Sequence, residues 1–395
     1  MTSRTPLSAL ISVTIVFSTL AACSSGGSGH GYTEEIIDGV TVRTYELMEA
    51  PKIDPFEVIP STVFGGDQAE DTYLLSGITL LGFSGSGELV TSDGRSSRFH
   101  VFAPNGTHLR EFGRLGQGPG EFSRMANWLF DGAHIHIFDR SLRRRSILDL
   151  DGRLVSILRY PDDFGDFRVP SPRAFTGSGS NLTYLCEIKL RSSLENMYTY
   201  TFAMRDTALQ LIETPIDTSH SPGIFEIGGP GSRRPPFTLH DPASALGSDQ
   251  PLAWSWGREF RIEFLDLISK DRRAVIIPYR AMTVTVGHRD DYLERYYSDE
   301  GLVEEARRKL PWPSHFPHLD GMRWDSSGRL WVLEFQDPLD ENPPWVYQVF
   351  KSDGTWLFQQ ELPMRIGIVV EDGMYVSETE EDGSPILRFY RFEAK

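Results

Sequence analysis

Gly87-Glu-Leu-Val-Thr-Ser-Asp93, Arg98-Phe-His-Val-Phe102 and Asn105-Gly106 return 46 residues later as Ala133-His-Ile-His-Ile-Phe-Asp139, Arg144-Arg-Ser-Ile-Leu148 and Asp151-Gly152. Acidic, Arg and Gly positions recur in register. Apolar residues recur with them, in the pairs Leu89/Ile135, Val101/Ile147, Phe102/Leu148 and Leu109/Val155. Self-similarity at this spacing marks a solenoid or a propeller. Asn-Gly and Asp-Gly favour tight hairpin turns, because both central residues of such turns need positive φ.

The repeat unit extends to both sides. Ile78–Phe83, Glu88–Asp93, Arg98–Ala103 and Thr107–Phe112 are expected as the four strands of a first unit, and a second runs from Arg124 to Tyr160. A third is expected over Pro170–Thr214, with strands at Asn181–Glu187, Tyr198–Arg205 and Leu209–Glu213. A degenerate fourth covers Ser244–Tyr279. The pattern recovers in Asp325-Ser-Ser-Gly-Arg-Leu-Trp-Val-Leu-Glu334, Val346–Phe350 and Asp353-Gly354. A sixth unit, Arg365–Lys395, has room for three strands. The isolated strand Val40–Leu47 is expected to supply its missing outer strand and close a ring, because an open sheet edge invites aggregation.

One segment breaks the β pattern. Asp290–Tyr297 and Asp299–Leu310 are expected as short helices. The second has acidic residues at its start and basic residues at its end, which suits the helix dipole, and Pro311 stops it. Trp312-Pro-Ser-His-Phe-Pro-His318 follows as an aromatic, histidine-bearing loop.

The N-terminus reads as an export signal. Arg4 precedes an apolar run, Leu7–Ala22, that is too short to span a bilayer and closes on small residues. Leu20-Ala-Ala-Cys23 resembles the lipobox of bacterial lipoproteins, which implies lipidation of Cys23, and several acyl chains anchor a protein stably. Ser24, after the Cys, resembles the outer-membrane sorting pattern. The expected location is therefore the bacterial cell envelope, lipid-anchored at the outer membrane. Ser24 to about Gly31 reads as a flexible Gly/Ser tether. The second cysteine, Cys186, lies in an apolar strand pattern and reads as a small buried hydrophobe. The formal net charge is −16 and the signal carries only Arg4, so the mature chain is more acidic still. That sign repels nucleic acid and excludes it as a partner.

Gly113-Arg-Leu-Gly-Gln-Gly-Pro-Gly-Glu-Phe122, followed by Ile137-Phe-Asp139, Arg144 and Asp151-Gly152, resembles the NHL-type repeat of six-bladed β-propeller lipoproteins of bacteria. The resemblance implies an all-β fold: a six-bladed β-propeller of four-stranded antiparallel blades, with a short helical insertion before the fifth blade. The expected organisation is a signal peptide over 1–22, the lipidated Cys and tether over 23–34, and the propeller over 35–395 with the insertion at 288–318. Relatives of this fold include binding modules, zinc- or calcium-using lyases and lactonase-like hydrolases, so the fold alone does not name an activity.

Two sets of residues are candidates for function. Asp93, Asp139, Glu334 and Glu378 end the second strand of their units. They read either as carboxylates ringing a channel mouth or, because they repeat with the blade, as structural groups bonded to turn amides or to an Arg such as Arg98 or Arg144; the second reading is preferred. Trp312, His315, Phe316, His318 and Tyr296 form the non-repeating aromatic cluster and are the candidate ligand-binding residues, because insertions that interrupt a repeat often sit on the binding face. His134 and His136 share a strand face but lack a third ligand, and no His-x-x-x-His or His-Glu-x-x-His spacing occurs. No Gly-x-Ser-x-Gly elbow is present either. No catalytic or metal residue is assigned and no cofactor is expected; calcium or zinc enters only through the resemblance. The expectation is a non-enzymatic monomer, anchored to the membrane, that binds a protein, peptide or glycan at the channel face. The alternative is an NHL-like metal-dependent secreted lyase or hydrolase.

Overall fold

A computed structural model describes the chain from residue 31 onward, apart from 47–49, 66–77, 94–95, 124–126, 161–170, 177–182, 192–196, parts of 207–249, and 382 and 384. The expected signal, Cys23 and most of the tether lie outside the described residues. Strand Tyr32–Ile37 begins inside the segment assigned to the tether.

Five four-stranded sheets and one six-stranded sheet follow one another along the described chain. Blade one is Ile78–Phe83, Leu89–Asp93, Arg98–Phe102 and His108–Phe112, each antiparallel to the next. Blade two is Asn127–Phe130, His134–Asp139, Arg144–Asp149 and Leu154–Arg159. Blade three ends on Asp217–Pro222, downstream of the expected Leu209–Glu213. Blade four is built on Ala243–Ala245, Leu252–Ser255, Arg261–Leu265 and Arg272–Ile276. Blade five runs from Leu319–Trp324 to Trp356–Leu362. Each blade buries both faces against its neighbours. Phe99, Val101 and Phe122 pack with Ile135 and Ile137 between blades one and two, and Trp331 and Val349 pack with Met374 and Val376 between blades five and six.

The ring closes, but not with the strand expected. Blade six supplies Ile368–Val370, Gly373–Thr379 and Pro385–Ala394, and its outer strand is Phe56–Gly65, paired antiparallel to Pro385–Ala394. Pro60 lies within that strand. Proline lacks the N–H a ladder needs and is confined to sheet edges and bulges. Both conditions hold here, because the strand is the outermost of its sheet and its register shifts between Pro60 and Val63.

Val40–Tyr45 goes elsewhere. It adds in parallel to Arg272–Ile276 and, with Tyr32–Ile37, widens blade four to six strands. Tyr45 then stitches blades four and five. Its hydroxyl accepts the Trp356 N–H at 2.7 Å and donates to the Gly354 carbonyl at 3.3 Å.

The repeated turn glycine has a tertiary reason as well as a local one. Gly152 has φ +77°, and a Cβ there would stand 2.5 Å from Cβ of Phe112 in the outer strand of blade one. Gly106 meets Val63 of blade six in the same way, and Gly354 meets Val275 of blade four. The third-to-fourth-strand turns of blades one, two and five thus rest on the fourth strand of the preceding blade. Gly152→Ala adds left-handed strain to an overpacked contact and is expected to cost about 2–4 kcal/mol, read as a lowered midpoint in urea unfolding.

The glycine-rich segment Gly113–Phe122 serves as a strap between blades one and two. Arg144 donates to the carbonyls of Gln117, Gly118 and Glu121 at 3.0, 2.7 and 2.7 Å. Gly118 N–H in turn donates to Glu121 at 2.9 Å.

Candidate binding face

In an antiparallel pair the end of one strand lies beside the start of its partner. Asp93 pairs with Ile78 and Glu334 with Leu319, the first residues of their inner strands. Asp139 ends its second strand, and Glu378 stands one residue before the end of its own, in the same sense. The four carboxylates and the segment that leads into Leu319 therefore share one face of the propeller.

The carboxylates are committed to local partners. Asp93, fully buried, accepts from the Ser96 amide at 3.3 Å. Asp139 accepts from the Ser123 amide at 2.6 Å, the Ser123 hydroxyl at 2.8 Å and the Leu142 amide at 2.9 Å. Glu378 takes Arg388 Nε at 2.9 Å and the Tyr390 hydroxyl. Arg98 pairs with Glu111 rather than with Asp93. Glu334 stands apart. Burial raises its pKa, and the bonds from Gln348 at 2.6 Å and Tyr279 at 3.3 Å offset this only in part. Tyr279 is pushed up by its own burial and by Glu334, and its ring packs edge-on against His318 at 5.3 Å. Among the described residues, no group of three or more His, Cys, Asp or Glu could hold a metal ion.

The histidines of the blades are packing groups. His136 Nδ1 accepts from the Tyr184 hydroxyl of blade three at 3.0 Å, and its Nε2 donates to Asp131 at 2.9 Å. Arg145 donates to the same Tyr184 oxygen at 2.8 Å. Burial opposes ionisation of Asp131, but the His136 bond and the amides of Ala133 and His134 outweigh it and hold the carboxyl well below its ordinary range. Cys186 is fully buried in strand Thr183–Arg191, and burial pushes its thiol up to about 12.

His100, buried in blade one, is lowered to about 4, first by burial and then by the neighbouring His108 ring. Between pH 6.5 and 4 the unfolded chain binds this proton and the folded chain does not. His100 stability is therefore complete above pH 6.5 and lost as pH falls toward 4, by up to ~3 kcal/mol. His100→Gln is expected to flatten the pH dependence of the melting temperature across that window.

The insertion consists of α1, Val286–Tyr296, and α2, Glu300–Lys309. α1 opens with a capping box in which histidine takes the usual acidic position. Thr285 Oγ1 accepts the His288 N–H at 3.4 Å, and His288 Nδ1 accepts the Thr285 N–H at 2.9 Å. That acceptor role leaves the proton on Nε2, which donates to Asp337 at 2.9 Å and ties the insertion to blade five. Leu293, Tyr297, Ala306 and Leu310 are buried together with Ile227. Phe237 forms the hub beside them. Its ring meets Phe316 at 4.9 Å, Tyr292 at 5.5 Å and Trp312 at 6.1 Å.

The five expected ligand residues divide. Phe316 and His318 are buried in the base, where Phe316 stacks on Phe335 and His318 bonds the backbone of Gly257. Trp312 is half-buried, donates Nε1 to the Arg307 carbonyl at 3.1 Å and lies under Arg289. Tyr296 is 52% exposed on Tyr292, and His315 is exposed. Phe237 and Tyr279 were not legible as parts of this cluster. They carry no local signal, and only the fold brings them to it.

Residues 68–227 match the model of a family described as a 6-bladed β-propeller. No curated protein sequence matches the chain. Among solved structures, a Bacteroides fragilis protein is 12% identical over 89% of this chain and 100% of its own, with a TM-score of 0.48. A Bacteroides vulgatus protein is 12% identical over 87% and 100%, with a TM-score of 0.49. A virginiamycin B lyase of Staphylococcus aureus is 12% identical over 91% and 98%, with a TM-score of 0.36. The sheet order and the family match over residues 68–227 together identify the chain as an all-β propeller of four-stranded blades with a helical insertion before its fifth blade.

Proposed function

We propose that this protein is a lipid-anchored, extracytoplasmic propeller that binds a protein, peptide or glycan on the face carrying the 286–318 insertion. The supporting observation is the division of the insertion into a packed base and an accessible rim. Phe316, Phe237 and Leu293 fix the base, while Tyr296, His315 and part of Trp312 remain open. Aromatic side chains held on a rigid support present contact area at little entropic cost, which is the usual make-up of a recognition patch. The carboxylates on the same face are occupied by turn amides, Arg388 and Tyr390, or Gln348 and Tyr279, which favours recognition over hydrolytic chemistry. The Leu20-Ala-Ala-Cys23 sequence supports the anchor.

Peptide and glycan arrays probed with the soluble domain test the reading. Tyr296→Ala and His315→Ala, both at exposed positions, are expected to weaken a wild-type hit at least about tenfold with little change in melting temperature. Hits that survive both substitutions would place binding elsewhere. Palmitate labelling of the full chain, abolished by Cys23→Ala, tests the anchor separately.

A further inference from the structure

Leu319–Trp324 is the inner strand of blade five and faces the central channel. Met322 and Trp324 pack on the core between blades four and five. Arg323, between them in sequence, projects to the opposite side of the strand. There it lies within the field of Tyr347 and Arg365. That side faces blade six, where Arg323 is closely surrounded by protein yet keeps part of its side chain open to solvent. Among the described residues no carboxylate pairs with it.

Its neighbours do not neutralise it. Arg365 bonds Asp320 at 2.9 Å, lies over Trp345, and brings Nη2 to 3.8 Å from a Cβ placed on Gly321, two residues before Arg323. The one carboxylate here, Asp320, thus pairs with Arg365 and not with Arg323. The Tyr347 hydroxyl accepts the Ile366 N–H at 3.0 Å, which leaves its own proton free to donate. Burial and Arg365 both depress Arg323, and Tyr347 opposes them. A largely enclosed charge without a counter-ion is costly, and the chain as a whole is strongly acidic. The excess positive charge is therefore local to this interface.

We propose that Arg323 and Arg365, with the Tyr347 hydroxyl beside them, form a site at the inner edge of the blade five and six interface for the oxyanion group of a small ligand, a carboxylate or a phosphate. The guanidinium fork suits either group, because its N–H pairs match two oxygens at once. The Tyr347 O–H supplies a further donor. This site is separate from the aromatic rim of the insertion and stands whether or not that rim binds a ligand.

Calorimetry and thermal melts of the purified protein test it, with inorganic phosphate in one arm and succinate in the other, ionic strength being held constant with sodium chloride. The expected result is saturable one-site binding of at least one anion, with a melting temperature that rises with its concentration. Arg323→Met is expected to weaken binding at least about tenfold and, without anion, to melt no lower than wild type. Arg323→Lys keeps the charge but not the fork and is expected to bind several-fold more weakly; it serves if the methionine variant does not fold. Arg365→Met is expected to weaken binding as well. Absence of saturable binding of both anions to the wild type would overturn the proposal. So would undiminished binding by Arg323→Met, or by Arg323→Lys where the methionine variant does not fold. The arm that saturates identifies the chemistry of the group.

Discussion

Phe64→Ala is expected to destabilise the protein by about 3–5 kcal/mol, more than Val42→Ala in the earlier strand Val40–Tyr45. Phe64 is completely buried on the closing strand Phe56–Gly65. It packs with Leu89 and Phe102 of blade one and with Tyr375 and Leu387 of blade six, at ring distances of 5.9 Å from Phe102 and 5.7 Å from Tyr375. Its loss opens the seam where the ring joins its own beginning, so the cavity lies where the last and first blades meet. Val42→Ala removes less volume from the periphery of blade four and is expected to cost about 1–2 kcal/mol. Paired urea titrations measure both. If Val42→Ala were the costlier change, the ring would be closed by the earlier strand and the seam at Phe64 would carry less of the fold.

Asp325→Asn is expected to cost a further 3–5 kcal/mol or so, although it alters no shape. One oxygen of Asp325 accepts the amides of Ser327 and Arg329 at 2.9 and 2.8 Å. The other accepts Trp331 Nε1 at 2.9 Å and Arg329 Nε at 2.5 Å. An asparagine amide turns two donors toward one of those pairs and leaves Arg329, itself largely buried, without its charge partner. Blade two uses the same turn position. Asp131 accepts the amides of Ala133 and His134 and bonds His136 where blade five has Trp331. Thermal melts of Asp325→Asn and Asp325→Ala should agree closely, because charge pairing rather than volume sets the loss. An asparagine variant as stable as wild type would show that the turn needs only the shape.

What was legible in the chain was whatever repeats locally. Leu89–Asp93 and Arg98–Phe102 recur in the next unit and are bounded by turn residues, and their bounds were close to those read from the residues. Asp299 caps α2 and Pro311 follows its end, so that helix was readable too. Phe56–Gly65 was not readable, because Pro60 and the bulge after it erase the strand signal, and only the edge position makes that tolerable. Parallel addition of Val40–Tyr45 to blade four was equally hidden. Its residues favour a strand but say nothing about which edge it joins. At the candidate face, Trp312 and His315 could be found from composition. Phe237 could not, because it reaches the insertion from about fifty residues upstream.

The sequence by itself determined the repeat, its turn chemistry, the all-β class and the place where the pattern breaks, because these follow from alternation and backbone preference over a few residues. Tertiary structure alone decided which strand closes the ring, why Gly152 must be glycine on two counts, which aromatic residues of the insertion stay exposed, and that Arg323 has a second arginine, Arg365, as its neighbour. Each of these depends on which distant segment arrives as a neighbour. Local propensity sets the conformation of a segment, but burial and pairing across blades set its partner.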